Sequence, residues 1–280
     1  MDLGLEGKVA VITGAGSGIG RGIAIAFAQE GMNVVVADVV EKDGAKTVEQ
    51  LQLDSTGIKN PGEHCFIMCD VTSERSVSDL FNEVQRQYGR LDVVVNNAGI
   101  SPKESYRIDQ LPMDVYDKVI AVNQRGYVLV TKYGAQFFIE QASASGGTYP
   151  DGSFIFLLSN AGILGSKGNT PYSVSKAAGF GIMRSVARDM ADFRVRANGI
   201  IPGNILHGSQ IWDDDYKKQR AAAKGITVEE VERLYVERAP LKIECTPQHV
   251  ALVALMLASQ KLSGNTTGAV YRTDGGELML

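Results

Sequence analysis

Tyr172 and Lys176 end the stretch Tyr172-Ser173-Val174-Ser175-Lys176, so on a helix both side chains face one way, about a turn apart. A phenol has pKa ≈ 10, which leaves roughly one molecule in a thousand ionised at pH 7. Lowering that value by ~3 units needs about 4 kcal/mol of preference for the phenolate. A neighbouring ammonium in a water-poor cleft is the right kind of source, and the chemistry this suits is proton transfer. Read alone, the same spacing also describes an ordinary exposed pair on an amphipathic helix. Ser159 changes the choice. It closes the apolar run 153–158 (SFIFLL), and α/β sheets place ligands at the C-terminal ends of such strands. No G-x-S-x-G surrounds it, which argues against a nucleophilic serine for hydrolysis.

A second group of residues suits phosphate. Residues 13–20 read TGAGSGIG, directly after the apolar run 8–13 (KVAVIT) and directly before a helical pattern. A helix N-terminus offers unpaired N–H groups and a positive dipole end, and glycines let the backbone approach a ligand closely. Gly14, Gly18 and Gly20 give a TGxxxGxG arrangement rather than GxGxxG, with Ser17 and Ile19 between them. Such a loop alone can be a plain structural turn. The next apolar run, 33–38 (NVVVAD), ends at Asp38, 18 residues beyond Gly20. That is close to the ~20 expected for the acid that binds an adenosine ribose. A carboxylate there accepts from the 2′-hydroxyl and repels a 2′-phosphate, and Ser17 is not a phosphate-pairing base. NAD is favoured over NADP.

These groups need elements to hold them. Residues 64–69 (HCFIMC), 91–95 (LDVVV), 194–200 (RVRANGI) and 269–273 (AVYRT) join the three runs above as buried strands. Their lack of polar alternation fits a parallel sheet covered on both faces. Helical patterns such as 19–30 and 73–88 lie between them, the second opened by Ser73 as a cap. Residues 53–63 and 141–151 are rich in turn formers and read as surface loops. Residues 204–242 are long, charged and helical, with two short helices at 213–224 and 228–238 separated by Gly225. No repeat or linker divides the chain, so one domain over residues 1–280 is expected.

Composition removes other classes. The 280 residues are 44% hydrophobic and 21% charged with a formal charge of −4, which argues against nucleic-acid and anionic-membrane partners. No apolar run approaches the ~18 residues that span a bilayer, and the N-terminus, with Asp2 and Glu6, lacks a signal-peptide layout. A cytoplasmic protein with reduced Cys65, Cys69 and Cys245 is expected, with no metal site. His64 and His249 read as structural or solvated.

Taken in order, TGAGSGIG at 13–20, Asp70-Val71, Asn96-Asn97-Ala98-Gly99, Asn123, Ser159, Tyr172 through Lys176, Pro202-Gly203 and Asp274-Gly275-Gly276 resemble the short-chain dehydrogenase/reductase (SDR) family over nearly the whole chain. The resemblance implies a Rossmann fold: a doubly wound, seven-stranded parallel sheet with helices on both faces and a helical substrate lid at about 204–242. It makes Tyr172 the acid/base, its phenolate favoured by Lys176 together with the positive nicotinamide ring, with Ser159 bonding the substrate oxygen. Lys176 would hold the nicotinamide ribose, and Asn123 would support a proton-relaying water. Gly14, Ser17, Gly18, Ile19, Gly20, Asp38, Asp70, Val71, Asn97, Ala98, Gly99, Tyr172, Lys176, Pro202, Gly203 and Ile205 would line the dinucleotide. Two departures stand out. Leu158 replaces the serine that usually precedes Ser159, and His207 replaces a frequent threonine, leaving its contact with substrate open.

The lid is polar, with Trp212, Asp213, Asp214, Asp215, Tyr216, Lys217, Lys218 and Arg220. Residues 221–232 are similar to lids of the sugar-alcohol branch, including sorbitol-6-phosphate dehydrogenases. Its basic residues suit a phosphate or, equally, pairing with the acids around them. The expected activity is NAD(H)-dependent interconversion of a secondary alcohol and a ketone on a polyol, sugar or sugar phosphate. Two other readings are a 3-oxoacyl thioester reductase and a non-catalytic dinucleotide-sensing protein; intact Ser159, Tyr172 and Lys176 argue against the second. The resemblance further implies a homotetramer, or a homodimer, packed through the helices of Asn123 and Tyr172.

Overall fold

The structure is a computed structural model that describes residues 2–54, 58–146, 151–208 and 212–279. The loops expected at 53–63 and 141–151 therefore lie partly outside the described residues, as do 209–211 of the lid. Seven parallel strands form one sheet in the order β3-β2-β1-β4-β5-β6-β7. They are β1 (Val9–Thr13), β2 (Asn33–Asp38), β3 (His64–Met68), β4 (Val93–Asn96), β5 (Ser153–Leu157), β6 (Arg196–Pro202) and β7 (Val270–Thr273). All seven expected strands are present, with ends shifted by up to two residues. At 91–95 the shift has a cause: Asp92 is 3% exposed and accepts from Val9 N at 2.8 Å, so its carboxylate caps β1 and the strand starts after it.

Successive strand residues alternate between two apolar layers, which is why the runs lack polar alternation. Val9 and Val11 pack with α3 (Glu74–Tyr88), α5 (Gly126–Ala144) and α7 (Thr170–Asp189). Ala10 and Ile12 pack with α1 (Gly18–Gln29) and α10 (Pro247–Ala258). Caps match the sequence pattern. Ser73 Oγ accepts from Ser76 N at 3.3 Å, and Thr246 and His249 form a reciprocal capping box on α10, which gives His249 a structural role.

The sheet order sets the place of the site. The chain winds outward from β1 to β3, then returns to β4 on the other side of β1, so the crevice opens beyond the C-terminal ends of β1 and β4. Thr13 stitches those ends together: its Oγ1 donates to Val95 O at 3.1 Å and accepts from Asn97 N and Ala98 N at 3.1 and 3.2 Å. Asn97 Nδ2 returns two bonds, to Thr13 O and Gly14 O. Gly20 sits under this knot, where an added Cβ would lie 2.4 Å from Gly14 O and 2.6 Å from Asn97 Nδ2. Gly20→Ala should therefore destabilise the protein by about 1–3 kcal/mol, read from urea denaturation. An unchanged unfolding midpoint would show that the loop relaxes freely.

Candidate active site

The glycine loop carries two residues in the left-handed region, Gly14 at φ +64° and Gly18 at φ +54°. Glycine enters this region freely, whereas a residue with a Cβ pays a steric cost there. Ser17 is the N-cap of α1, yet its side chain makes no capping bond, so the first-turn N–H groups face the crevice. A cleft of about 350 Å³ follows, lined by Gly14, Ser17, Gly18, Ile19, Asp38, Asp70, Val71, Asn97, Ala98, Gly99, Tyr172, Lys176 and Pro202. Of the expected dinucleotide residues, Gly20 lies beneath the loop, and Gly203 and Ile205 line a second cleft. Val39, Ile100, Lys118, Val122 and Leu157 also line the first cleft and carried no sequence signal.

Asp38 closes the far end of this cleft. Its Oδ2 accepts from Gly16 N at 2.8 Å and its Oδ1 from Val40 N at 3.0 Å, which fixes the carboxylate at the end of β2. Arg21 is the basic side chain held at this loop. Its guanidinium donates to Gly16 O and to Thr47 Oγ1, so it is tied to the loop and α2 (Glu41–Asp54).

The second cleft, about 330 Å³, contains Ser159, Gly203 and Ile205 and shares Ile19, Tyr172 and Pro202 with the first. Tyr172 thus stands where the two clefts meet. Pro171 is the second residue of α7 and Tyr172 follows within its first turn, one turn before Lys176. Ser159, just past β5, accepts from Ala161 N at 3.1 Å and hydrogen-bonds the Tyr172 hydroxyl. Leu158 borders the first cleft, but its side chain packs into the core. It is 1% exposed and fills a niche against Gly199, whose Cβ would fall 2.4 Å from Leu158 Cδ1. The residue that replaces the family's first serine is a core residue here, so the hydroxyl at this strand end comes from Ser159.

Lys176 is 4% exposed and has no carboxylate partner among the described residues. Its Nζ donates to Leu157 O at 2.6 Å and to the Tyr127 hydroxyl at 2.9 Å, and it lies 5.8 Å from the centre of the Tyr172 ring. Tyr127, fully buried on α5, donates to the same Leu157 O at 2.6 Å. Burial pushes the Lys176 ammonium down to about 7. Burial likewise pushes Tyr172 up to about 12, against a smaller lowering by Ser159. Burial of Tyr172 thus opposes the phenolate, the form that Lys176 and the nicotinamide ring together are expected to favour. A lysine that is itself easily neutralised cannot lower the phenol alone.

Asn123 lies one layer beneath. It sits in a π-helical turn, Ala121–Arg125, between α4 (Met113–Ile120) and α5. Such turns insert one residue and re-aim side chains, often at functional sites. Its Oδ1 accepts from Ile100 N at 2.8 Å, while Nδ2 donates to Ile100 O at 2.9 Å and Ser175 Oγ at 3.0 Å. Ser175 Oγ in turn donates to Tyr172 O at 2.8 Å. The amide braces the cleft floor against α7.

The lid helices form as read: α8 (Asp214–Lys224) is capped by Asp213 and ended by Gly225 at φ +67°, and Thr227 caps α9 (Val228–Arg238). Trp212, Tyr216, Arg220, Tyr235 and Arg238 from the lid, with Glu277 after the Asp274 turn, wall the second cleft. Only three of these six were among the residues noted in the sequence. His207 stays outside both clefts, bonded through Nδ1 to Glu244 at 2.7 Å and facing Glu232 at 3.6 Å.

Residues 14–277 match a family model described as enoyl-(acyl carrier protein) reductase. A short-chain dehydrogenase reductase of Arabidopsis thaliana is 34% identical over 271 residues, 96% of this chain and 92% of that one. The chain belongs to the short-chain dehydrogenase/reductase family. This SDR is also 33% identical over 272 residues to a 3-oxoacyl-[acyl-carrier-protein] reductase of Thermotoga maritima, covering 97% and 98% of the two chains. The crystal structure of sorbitol-6-phosphate 2-dehydrogenase from Erwinia amylovora superposes with TM-score 0.87 at 30% identity, covering 97% of this chain and 100% of that one. The SDR is an oxidoreductase, and members of its family use NAD(P).

A depressed lysine has a stability signature. Unfolded Lys176 keeps its proton to its usual 10.5, whereas the folded side chain loses it near 7, so unfolding binds a proton between those values. Native stability must then rise with pH across that window. In urea denaturation of the dinucleotide-free SDR, the wild type should gain stability relative to Lys176→Met from pH 6 to pH 9. A pH-independent difference would show that Lys176 is not depressed.

Proposed function

We propose that this SDR is NAD(H)-dependent and interconverts a secondary alcohol and a ketone, with a polyol, sugar or sugar phosphate as substrate. The observation that carries the reading is that Tyr172 lines both the glycine-loop cleft and the cleft walled by α8 and α9, with Ser159 bonded to it from the second. The cradle fits a dinucleotide. Gly14 and Gly18 open backbone N–H groups at the start of α1, and Asp38 waits at the far end for a ribose diol. When bound, the nicotinamide accepts or returns the hydride.

The chain's own residues handle the proton and the charge. Ser159 Oγ donates to the substrate oxygen and steadies charge developing there. Tyr172 takes the hydroxyl proton in oxidation and returns it in reduction. Lys176, held by Leu157 O and Tyr127, holds positive charge next to the phenol and faces the dinucleotide cleft, where it would bond a ribose hydroxyl. Asn123 keeps α7 and the Ile100 segment in register through Ser175. The lid excludes water over the junction.

Asp38 supports NAD over NADP. A 2′-phosphate would meet a fixed carboxylate, and Arg21 is committed to Gly16 O and Thr47. The polar wall of the second cleft counts against an acyl-chain substrate, and so against 3-oxoacyl reduction. The family resemblance supports a homotetramer or homodimer built on α5 and α7, whose outer faces expose Val128 and Val174.

Tyr172→Phe should retain NADH binding while kcat falls by about 10²–10⁴. Asp38→Ala should weaken NAD binding and relax the exclusion of NADP. Both are read from NADH or NADPH absorbance in a screen of polyols and sugar phosphates. Undiminished turnover in Tyr172→Phe removes Tyr172 from its role, and a wild type that prefers NADP removes Asp38 from its own.

A further inference from the structure

The cations of the lid separate by partner. Lys217 Nζ pairs with Glu232 at 2.7 Å, and Lys218 Nζ lies 3.6 Å from Asp215. Arg220 and Arg238 make no ion pair with a carboxylate among the described residues, and both line the cleft that holds Ser159 and Tyr172. The Arg220 guanidinium lies 4.8 Å from the centre of the Tyr216 ring and donates to the Tyr216 hydroxyl. Its Nε is buried with no hydrogen-bond partner among the described residues. Arg238 is likewise 4.8 Å from the centre of Tyr235.

Trp212 packs edge-on against both tyrosines, with centroids 5.2 and 4.7 Å away, so three rings form one shelf under the two guanidinium groups. Stacking fixes the plane of a guanidinium, and a fixed planar fork matches the two oxygens of a carboxylate or phosphate. Among the described residues, Glu277 is the one carboxylate on this wall, and it accepts from Asn204 Nδ2 at 3.2 Å. Two arginines against one glutamate leave a net positive wall. A buried N–H without an acceptor is a standing cost that a ligand oxygen removes.

We propose that Arg220, with Arg238 beside it, binds an anionic group, phosphate or carboxylate, on a hydroxylated substrate whose reacting carbinol lies at Ser159 and Tyr172. This deepens the reading above and rests on it for the identity of the cleft. A neutral polyol leaves the Arg220 donor unanswered, and sites built around a buried polar group discriminate strongly against analogues that lack its partner.

The test compares kcat/KM with NAD+ for sorbitol, sorbitol 6-phosphate and gluconate in the wild type, Arg220→Leu and Arg220→Lys. The two anions distinguish phosphate from carboxylate. At least one should exceed sorbitol by about ten- to hundredfold in the wild type, the range of a charge-assisted bidentate contact. That ratio should collapse toward one in Arg220→Leu and recover in part in Arg220→Lys, with thermal unfolding confirming that each variant folds. A wild-type ratio near one, or a ratio unmoved in Arg220→Leu, overturns the anion site and leaves the polyol reading standing. If no polyol of either charge turns over, the polyol reading fails, and the anion site is judged by inorganic phosphate titrated into the enzyme–NADH complex. Phosphate binding that weakens in Arg220→Leu upholds the site, and equal binding in both proteins overturns it.

Discussion

The buried ammonium of Lys176 is the constraint around which the site is organised. A lysine this deeply placed without a carboxylate among the described residues is held by two oxygens, the Leu157 carbonyl at the end of β5 and the Tyr127 hydroxyl on α5. That arrangement joins the sheet, α5 and α7 at one point, a turn away from Tyr172. It also leaves the positive charge uncompensated, which is why burial depresses the lysine to about 7. The site stores an electrostatic cost that a bound ligand can relieve.

The rest of the fold serves that point. Parallel strand order opens a crevice beside β1, and the Thr13–Asn97 knot keeps its two rims in register. The Asn123 brace does the same one layer deeper, running from Ile100 through Ser175 to the backbone of Tyr172. Each contact uses a small polar side chain to satisfy backbone groups at strand and helix ends, where the regular ladders stop. The first and second clefts share a wall at Tyr172.

Much of this was legible because it is local. The glycine loop, Asp38 and the seven apolar runs are short-range patterns, and so are the lid helices, whose Asp213, Gly225 and Thr227 mark their ends directly. What the sequence hid is long-range. Tyr127 meets Lys176 across 49 positions, and Leu158 turns into a niche made by Gly199 that no spacing reveals. The π-helical turn at Asn123 has no composition of its own. The burial of Tyr172 was not legible, because Tyr-x-x-x-Lys reports proximity and says nothing of depth in the fold. The arginines of the lid could not be told from its lysines until their partners were visible.

In the proposed role, Tyr172 is a phenol that is reluctant to ionise until a positively charged cofactor joins Lys176 beside it. The direct measurement is a pH titration of the Tyr172 ring by ¹³C NMR with Cζ-labelled tyrosine, assigned by its loss in Tyr172→Phe, with and without NAD+. The resonance should titrate near 12 in the free enzyme and fall by about two units or more when NAD+ is bound. An identical titration in both states would contradict the account.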